Sequence, residues 1–180
     1  MTPKLAIVAF PRFTAADRAA IRAVRERHDP QFALLDPHFT LVFPVEAPLH
    51  DIVDEARSVA DASAPFPVTL NSILAVRDAL GAGGHVFLVP ERGAREVSAL
   101  NARLYSGALK GHRVEIPYVP HITVAASADF LGCQVLAAEL ARNRWNVNGS
   151  IESLSVLKVT GAGVMTMAEL PLGDRGSGAE

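Results

Sequence analysis

Two short segments of this sequence hold residues suited to chemistry: Pro37-His38-Phe39-Thr40-Leu41 and Pro120-His121-Ile122-Thr123-Val124. In each, a histidine and a threonine stand two positions apart with an apolar residue between them. In a β-strand, residues i and i+2 share a face about 6.6 Å apart. Strand geometry therefore predicts His38, Thr40 and Val42 on one face, with Phe39, Leu41 and Phe43 on the other. His121 and Thr123 are likewise opposed to Ile122 and Val124. Burying the apolar sets beneath helices leaves the imidazoles and hydroxyls turned toward a cleft. A single strand histidine beside a proline is most often a satisfied polar residue, and threonine favours strands for its β-branching alone. The repetition of the whole set makes it a candidate site.

Two imidazoles and two hydroxyls facing a common point suit the opening of a phosphodiester. Threonine hydroxyls donate hydrogen bonds to non-bridging oxygens and hold the phosphorus. A neutral histidine takes a proton from the attacking water, while a protonated one supplies a proton to the leaving oxygen on the opposite side. His121 is assigned as base and His38 as acid, with the reverse assignment left open by the symmetry. Catalytic zinc normally has three protein ligands. Neither strand offers a third, since Asp36 before the first motif is matched by Val119 before the second. No metal and no cofactor are expected. His28, His50, His85 and His112 lack repeated context and read as surface or loop residues before catalytic ones, although His85 begins a strand and could edge the cleft.

The elements that must position these residues follow one pattern twice. A strand over residues 5–10 runs into Pro11. A helix follows, with Thr14 as N-cap, Ala16, Ile21 and Val24 inward, and Arg18, Arg22, Arg25 and Arg27 outward in solvent. Asp29-Pro30 ends it, and the first His/Thr strand follows. A helix over 49–62 and a strand over 68–76 complete the pass. The second pass has a strand over 85–90, a helix over 92–109 and the second His/Thr strand at 119–125. After these come a helix over 129–141 and strands over 145–151, 154–160 and 164–170, with Trp145 packing in the second lobe. The loop Gly81-Ala82-Gly83-Gly84 separates the passes and leads into a strand, so it is not a phosphate-binding glycine loop. The fold class expected is α+β: a single bilobal domain over residues 1–180, with repeats at about 4–78 and 84–170. Its two antiparallel-rich sheets flank a central cleft, helices lie outside, and a tail over 173–180 frays.

Bulk properties exclude several classes. A net charge of −2 with pI near 6.3 advertises no large basic surface, so long-duplex DNA binding is not expected. The single cysteine, Cys133, forms no internal disulfide, and the apolar run at 5–10 is too short for a membrane span or a leader. A cytoplasmic monomer is the expectation.

The segments Pro37-His38-Phe39-Thr40-Leu41-Val42-Phe43-Pro44 and Pro120-His121-Ile122-Thr123-Val124 resemble the paired motifs of the two-histidine (2H) phosphoesterase superfamily. The stretch from Leu104-Tyr105-Ser106-Gly107 to Ile116-Pro117-Tyr118-Val119-Pro120 resembles small bacterial members of its 2'-5' RNA ligase-like branch. The resemblance spans nearly the whole chain. It implies a bilobal fold, no required metal, and hydrolysis of a 2',3'-cyclic phosphate on a nucleotide or RNA end, with RNA ligation as the reverse chemistry. Many RNA-acting relatives carry a basic residue just after the second motif, where this chain has Ala125-Ala126-Ser127. Arg77, Arg113 and Lys110 are candidates to supply that cation. Tyr118 is a candidate to stack on a base, beside a purely structural role. A catalytically idle nucleotide- or RNA-end-binding module and an RNA ligase are the alternatives to a hydrolase.

Overall fold

A computed structural model describes residues 4–79 and 81–173. In chain order the elements are β1 (Lys4–Ala9), β2 (Arg12–Phe13), α1 (Ala15–His28), β3 (Phe39–Val45), α2 (Leu49–Asp61), β4 (Phe66–Arg77) and β5 (Gly84–Arg92). They continue as α3 (Ala94–Leu104), a 3-10 turn (Lys110–His112), β6 (Ile122–Ser127), α4 (Phe130–Ala141), β7 (Val147–Ile151), β8 (Ser153–Thr160) and β9 (Gly163–Pro171). The strands form a four-stranded sheet in the order β3-β1-β8-β9 and a five-stranded sheet in the order β2-β7-β4-β5-β6. Every pairing is antiparallel. Helices α2 and α3 cover the first sheet, and α1 and α4 cover the second. The expected α+β class with two antiparallel sheets is what the chain forms.

The lobes are not the two halves of the sequence. The first sheet combines β1 and β3 with β8 and β9, and the second receives β2, β4 and helix α1 from the first half. Each lobe is therefore stitched by elements from both ends of the chain. One continuous apolar cluster results, running from Ile7, Phe39 and Val156 to Ile21, Val86, Leu88 and Ile151.

Local chemistry sets the element limits. Thr14 Oγ1 accepts from the Asp17 N–H and starts α1, and Asp129 does the same for α4 through Leu131. Pro44 sits in β3, an edge strand, where its missing N–H costs no ladder bond. β5 runs past Pro90 to Arg92 because its pairing with β6 has already ended at Leu88. Helix α3 consequently begins only at Ala94, after Gly93 at φ 86°, and ends at Leu104, short of the expected residue 109. The last helix–strand connection differs too: Trp145 precedes β7 and donates Nε1–H to the Leu140 carbonyl at the end of α4. Gly83 closes the β4–β5 hairpin at φ 103°, where a Cβ would meet the Ser127 carbonyl. At the C-terminal end, the Gly173 N–H donates to the Ala60 carbonyl at 2.9 Å, and residues 174–180 of the expected tail lie outside the described residues.

Helix α1 departs from expectation on both faces. Ala16 is exposed, while Arg25, expected in solvent, is only 2% exposed and shares the buried face with Ile21.

Candidate active site

Both His/Thr segments lie on edge strands, β3 at the border of one sheet and β6 at the border of the other. His38 immediately precedes β3 and His121 immediately precedes β6. Simple alternation breaks down beyond the threonines. Val8 pairs with Thr40 but Ile7 with Val42, so Leu41 is an extra residue in β3. Phe87 pairs with Thr123 but Val86 with Ala125, so Val124 is an extra residue in β6. A β-bulge therefore follows the threonine in each motif. A bulge bends its strand and re-aims side chains. Here it lets two consecutive residues enter the core after each threonine: Leu41 and Val42 in β3, Val124 and Ala125 in β6. Val42, expected beside Thr40, is thus buried on the opposite face, while Phe43 is only half-buried. Thr40 and Thr123 remain half-buried, with Phe39 and Ile122 beneath them in the core.

The two histidines are held alike. His38 Nδ1 lies 2.8 Å from the Asp36 carbonyl, and His121 Nδ1 lies 2.6 Å from the Val119 carbonyl. A carbonyl oxygen only accepts, so in the neutral ring Nδ1 carries the hydrogen and Nε2 keeps its lone pair. Among the described residues, neither Nε2 atom and neither threonine hydroxyl has a hydrogen-bond partner, and no buried side-chain polar atom is left unsatisfied. These four groups therefore stay available to a ligand.

Burial pushes the His121 imidazole down to about 4; its Val119 hydrogen bond opposes this, and repulsion from His85 and His38 adds to it. His38 is lowered as well, chiefly by burial, against its bond to Asp36; the Arg25 cation lowers it further and the Asp29 carboxylate opposes. The burial of His121 has a visible source. Its ring stacks on Phe87 with centroids 3.5 Å apart, and His85 also stacks on Phe87 at 5.9 Å. His38 makes an edge contact with Phe10 at 5.8 Å. A cavity of about 180 Å³ adjoins Phe10 and Pro37, with Phe13, Arg12 and Arg18 in its wall. A larger one, about 380 Å³, lies between α1 and α4 and includes no residue of either motif.

Other candidates fall in different places. Tyr118 lies at the junction of the motifs, but its hydroxyl donates to the Thr40 carbonyl at 2.9 Å, tying the approach to β6 onto β3. Burial raises that phenol far above its ordinary range. β3 is held further by Asn101 Nδ2, which donates to the Leu41 carbonyl, and by its Phe43 N–H, which donates to the Tyr105 hydroxyl. Arg77 is not brought to the motifs. Its guanidinium lies 4.3 Å over the Phe130 ring of α4, because the bulge in β4 sends Ile73, Ala75 and Arg77 to the helix-covered face. Phe87, Arg25 and Asp29 were not singled out from the sequence as site residues. Only Phe87 had a legible signal, since strand alternation places it opposite the buried Val86 and Leu88. His85, expected at the start of a strand, lies within β5 beside Phe87. Among the described residues, no group of three or more His, Cys, Asp or Glu side chains is disposed to hold a metal ion, and no helix is long and apolar enough to cross a membrane.

The comparisons with known proteins agree on one family. The chain matches the sequence profile of the 2'-5' RNA ligase superfamily over residues 12–163. A Bacillus cytotoxicus protein carrying a provisional phosphoesterase designation is 34% identical over 138 residues, covering 72% of this chain and 76% of that protein. Among solved structures, a Thermus thermophilus protein superposes with a TM-score of 0.66 at 18% identity, covering 96% of this chain and 100% of that one. Escherichia coli LigT complexed with 3'-AMP gives 0.59 at 16% identity over 96% and 99%. At such identities the structures speak for the fold, while the profile and the Bacillus relative speak for descent. The chain belongs to the 2'-5' RNA ligase superfamily of two-histidine phosphoesterases.

Proposed function

We propose that this chain is a metal-independent phosphodiesterase that hydrolyses a 2',3'-cyclic phosphate on a nucleotide or an RNA end. The observation that carries this reading is the matched pair of histidines, each fixed through Nδ1 by the carbonyl two residues earlier with Nε2 left available. Thr40 and Thr123 hydroxyls donate to the non-bridging oxygens. His121, whose imidazole burial holds down to about 4, is neutral near pH 7 and acts as base: its Nε2 takes a proton as water adds to phosphorus. The bond from phosphorus to the 2' or 3' oxygen breaks, and His38 Nε2–H protonates that leaving oxygen. The product is a monoester, and proton exchange with solvent returns both rings to their starting states. His38 is also lowered in the free protein. The anionic substrate favours its protonation, so the acid form is assembled with the substrate bound. LigT, of the same fold, has been captured with 3'-AMP, ATP and NADP+, which supports a nucleotide-bearing ligand for this cleft.

The test is hydrolysis of 2',3'-cyclic nucleotides in the presence of chelator by wild type, His38→Ala and His121→Ala. Each histidine variant is expected to lose on the order of 10²–10⁴-fold in kcat. Thr40→Val and Thr123→Val are each expected to lose on the order of 10²-fold. Turnover that survives removal of either histidine overturns the proposal. The second reading, a binding module without turnover, is favoured by Ala125-Ala126-Ser127 after the second motif, which supplies no basic residue there. Nucleotide binding by wild type with no turnover, unchanged by either histidine substitution, would establish it.

A further inference from the structure

The segment joining α1 to β3, residues 29–38, has no strand partner, yet it delivers the Asp36 carbonyl and His38 to the site. Two arginines of α1 hold it. Arg25 Nε donates to Asp29 Oδ2 at 2.7 Å, and its Nη1 donates to the Leu35 carbonyl at 2.8 Å. Asp29 in turn accepts from the Gln31 N–H at 2.9 Å. Nearer the surface, the Arg22 guanidinium lies 5.0 Å over the Phe32 ring and 3.6 Å from the Asp36 carboxylate. The Arg25 and Asp29 side chains are 2% and 3% exposed.

A buried ion pair is a weak stabiliser, because desolvation offsets most of its attraction. A fully satisfied buried network instead imposes one geometry on what it binds. Here the network ends one residue before the carbonyl that orients His38. Among the described residues the second motif has no such ion-pair network: the loop leading to His121 is tied to β3 through the Tyr118 hydroxyl, which donates to the Thr40 carbonyl. We propose that Arg25 and Asp29 are positioning residues for His38, locking the 29–38 segment so that the Asp36 carbonyl selects the Nδ1–H ring form and aims Nε2 at the phosphodiester. This role rests on the phosphodiesterase reaction. The charged and titratable groups around His38 are Arg25 of α1, Asp29 at the end of that helix, Asp36 with its partner Arg22, and His121.

The experiment uses the full chain with ¹⁵N-labelled histidine. Replacing one member of the pair leaves a buried charge and endangers folding, so the main variant is Arg25→Met/Asp29→Leu, which removes both charges. Long-range ¹⁵N–¹H spectra above pH 7.5 report the ring form of His38 and His121 without substrate, and kcat and KM are measured alongside. In the folded double variant, His38 is expected to change from one ring form to a mixture while His121 does not. Turnover is expected to fall on the order of 10²-fold in kcat with KM nearly unchanged, since misplacing a catalytic group by about 1 Å has that effect. Arg25→Lys retains a cation but lacks the planar fork that serves Asp29 and Leu35 together, and is expected to keep the defect. A folded double variant with wild-type His38 ring form and kcat, or full rescue by lysine, overturns the positioning role. A double variant that cannot fold also overturns it, because the pair would then be required for the fold itself. If His38 changes ring form as expected but wild type opens no diester, the positioning stands and the reaction assignment falls.

Discussion

Acidification should destabilise this protein through His121, by an amount the structure sets. The unfolded chain presents an imidazole that titrates near 6.5, whereas burial in the folded state pushes it down to about 4. As pH falls below 6.5, the unfolded chain binds a proton that the folded chain refuses, so unfolding becomes more favourable. The loss starts near 6.5 and is complete only below the folded value, near 4. At about 1.4 kcal/mol for each tenfold in proton affinity, that gap corresponds to about 3 kcal/mol. This is a large fraction of the roughly 5–15 kcal/mol that holds an ordinary domain together. His38, lowered in the same direction, adds to the loss. Urea melts of wild type and His121→Gln between pH 7.5 and 4 give the assay. Other titrating groups contribute to both proteins and cancel in the difference. Wild type is expected to lose about 3 kcal/mol more than the glutamine variant, with the divergence confined below pH 6.5. Parallel curves would refute the reasoning, because they would mean that the Phe87 stack does not keep water from the imidazole.

Two more outcomes are expected from the same geometry. If His121 is base and His38 acid, kcat/KM for a cyclic nucleotide is bell-shaped and displaced to acid pH. Its acidic limb lies near 4 as His121 takes its proton, and its basic limb lies below 6.5 as His38 loses one; an optimum above pH 7.5 would contradict this. Tyr118→Phe removes the hydroxyl bonded to the Thr40 carbonyl and is expected to cost roughly 0.5–1.5 kcal/mol of stability, read from urea melts. Because that hydroxyl is committed to the backbone, kcat should fall less than about tenfold; a loss comparable to a histidine variant would make the phenol a substrate contact instead.

Some of this was open to reading from residue order alone. The alternation of strands and helices, the N-cap at Thr14 and the two His/Thr segments are local patterns, governed by backbone geometry and by which side chains shun water. These led to the family and to the four groups that define the candidate site. Tertiary structure decided the rest, because the remaining features depend on pairings and contacts that residue order does not display. Only strand pairing reveals that a residue is skipped after each threonine, which sends Val42 and Ala125 inward. Arg25 falls on the face of α1 with Ile21; a helical wheel assigns a guanidinium to solvent unless a carboxylate and a carbonyl are known to wait for it. Arg77 was drawn to Phe130 by a bulge in β4, and Phe87 was set against His121 by the pairing of β5 with β6. Local spacing determined which groups this chain could offer to a phosphate. Tertiary packing determined how deeply they are buried, and with that their proton affinities.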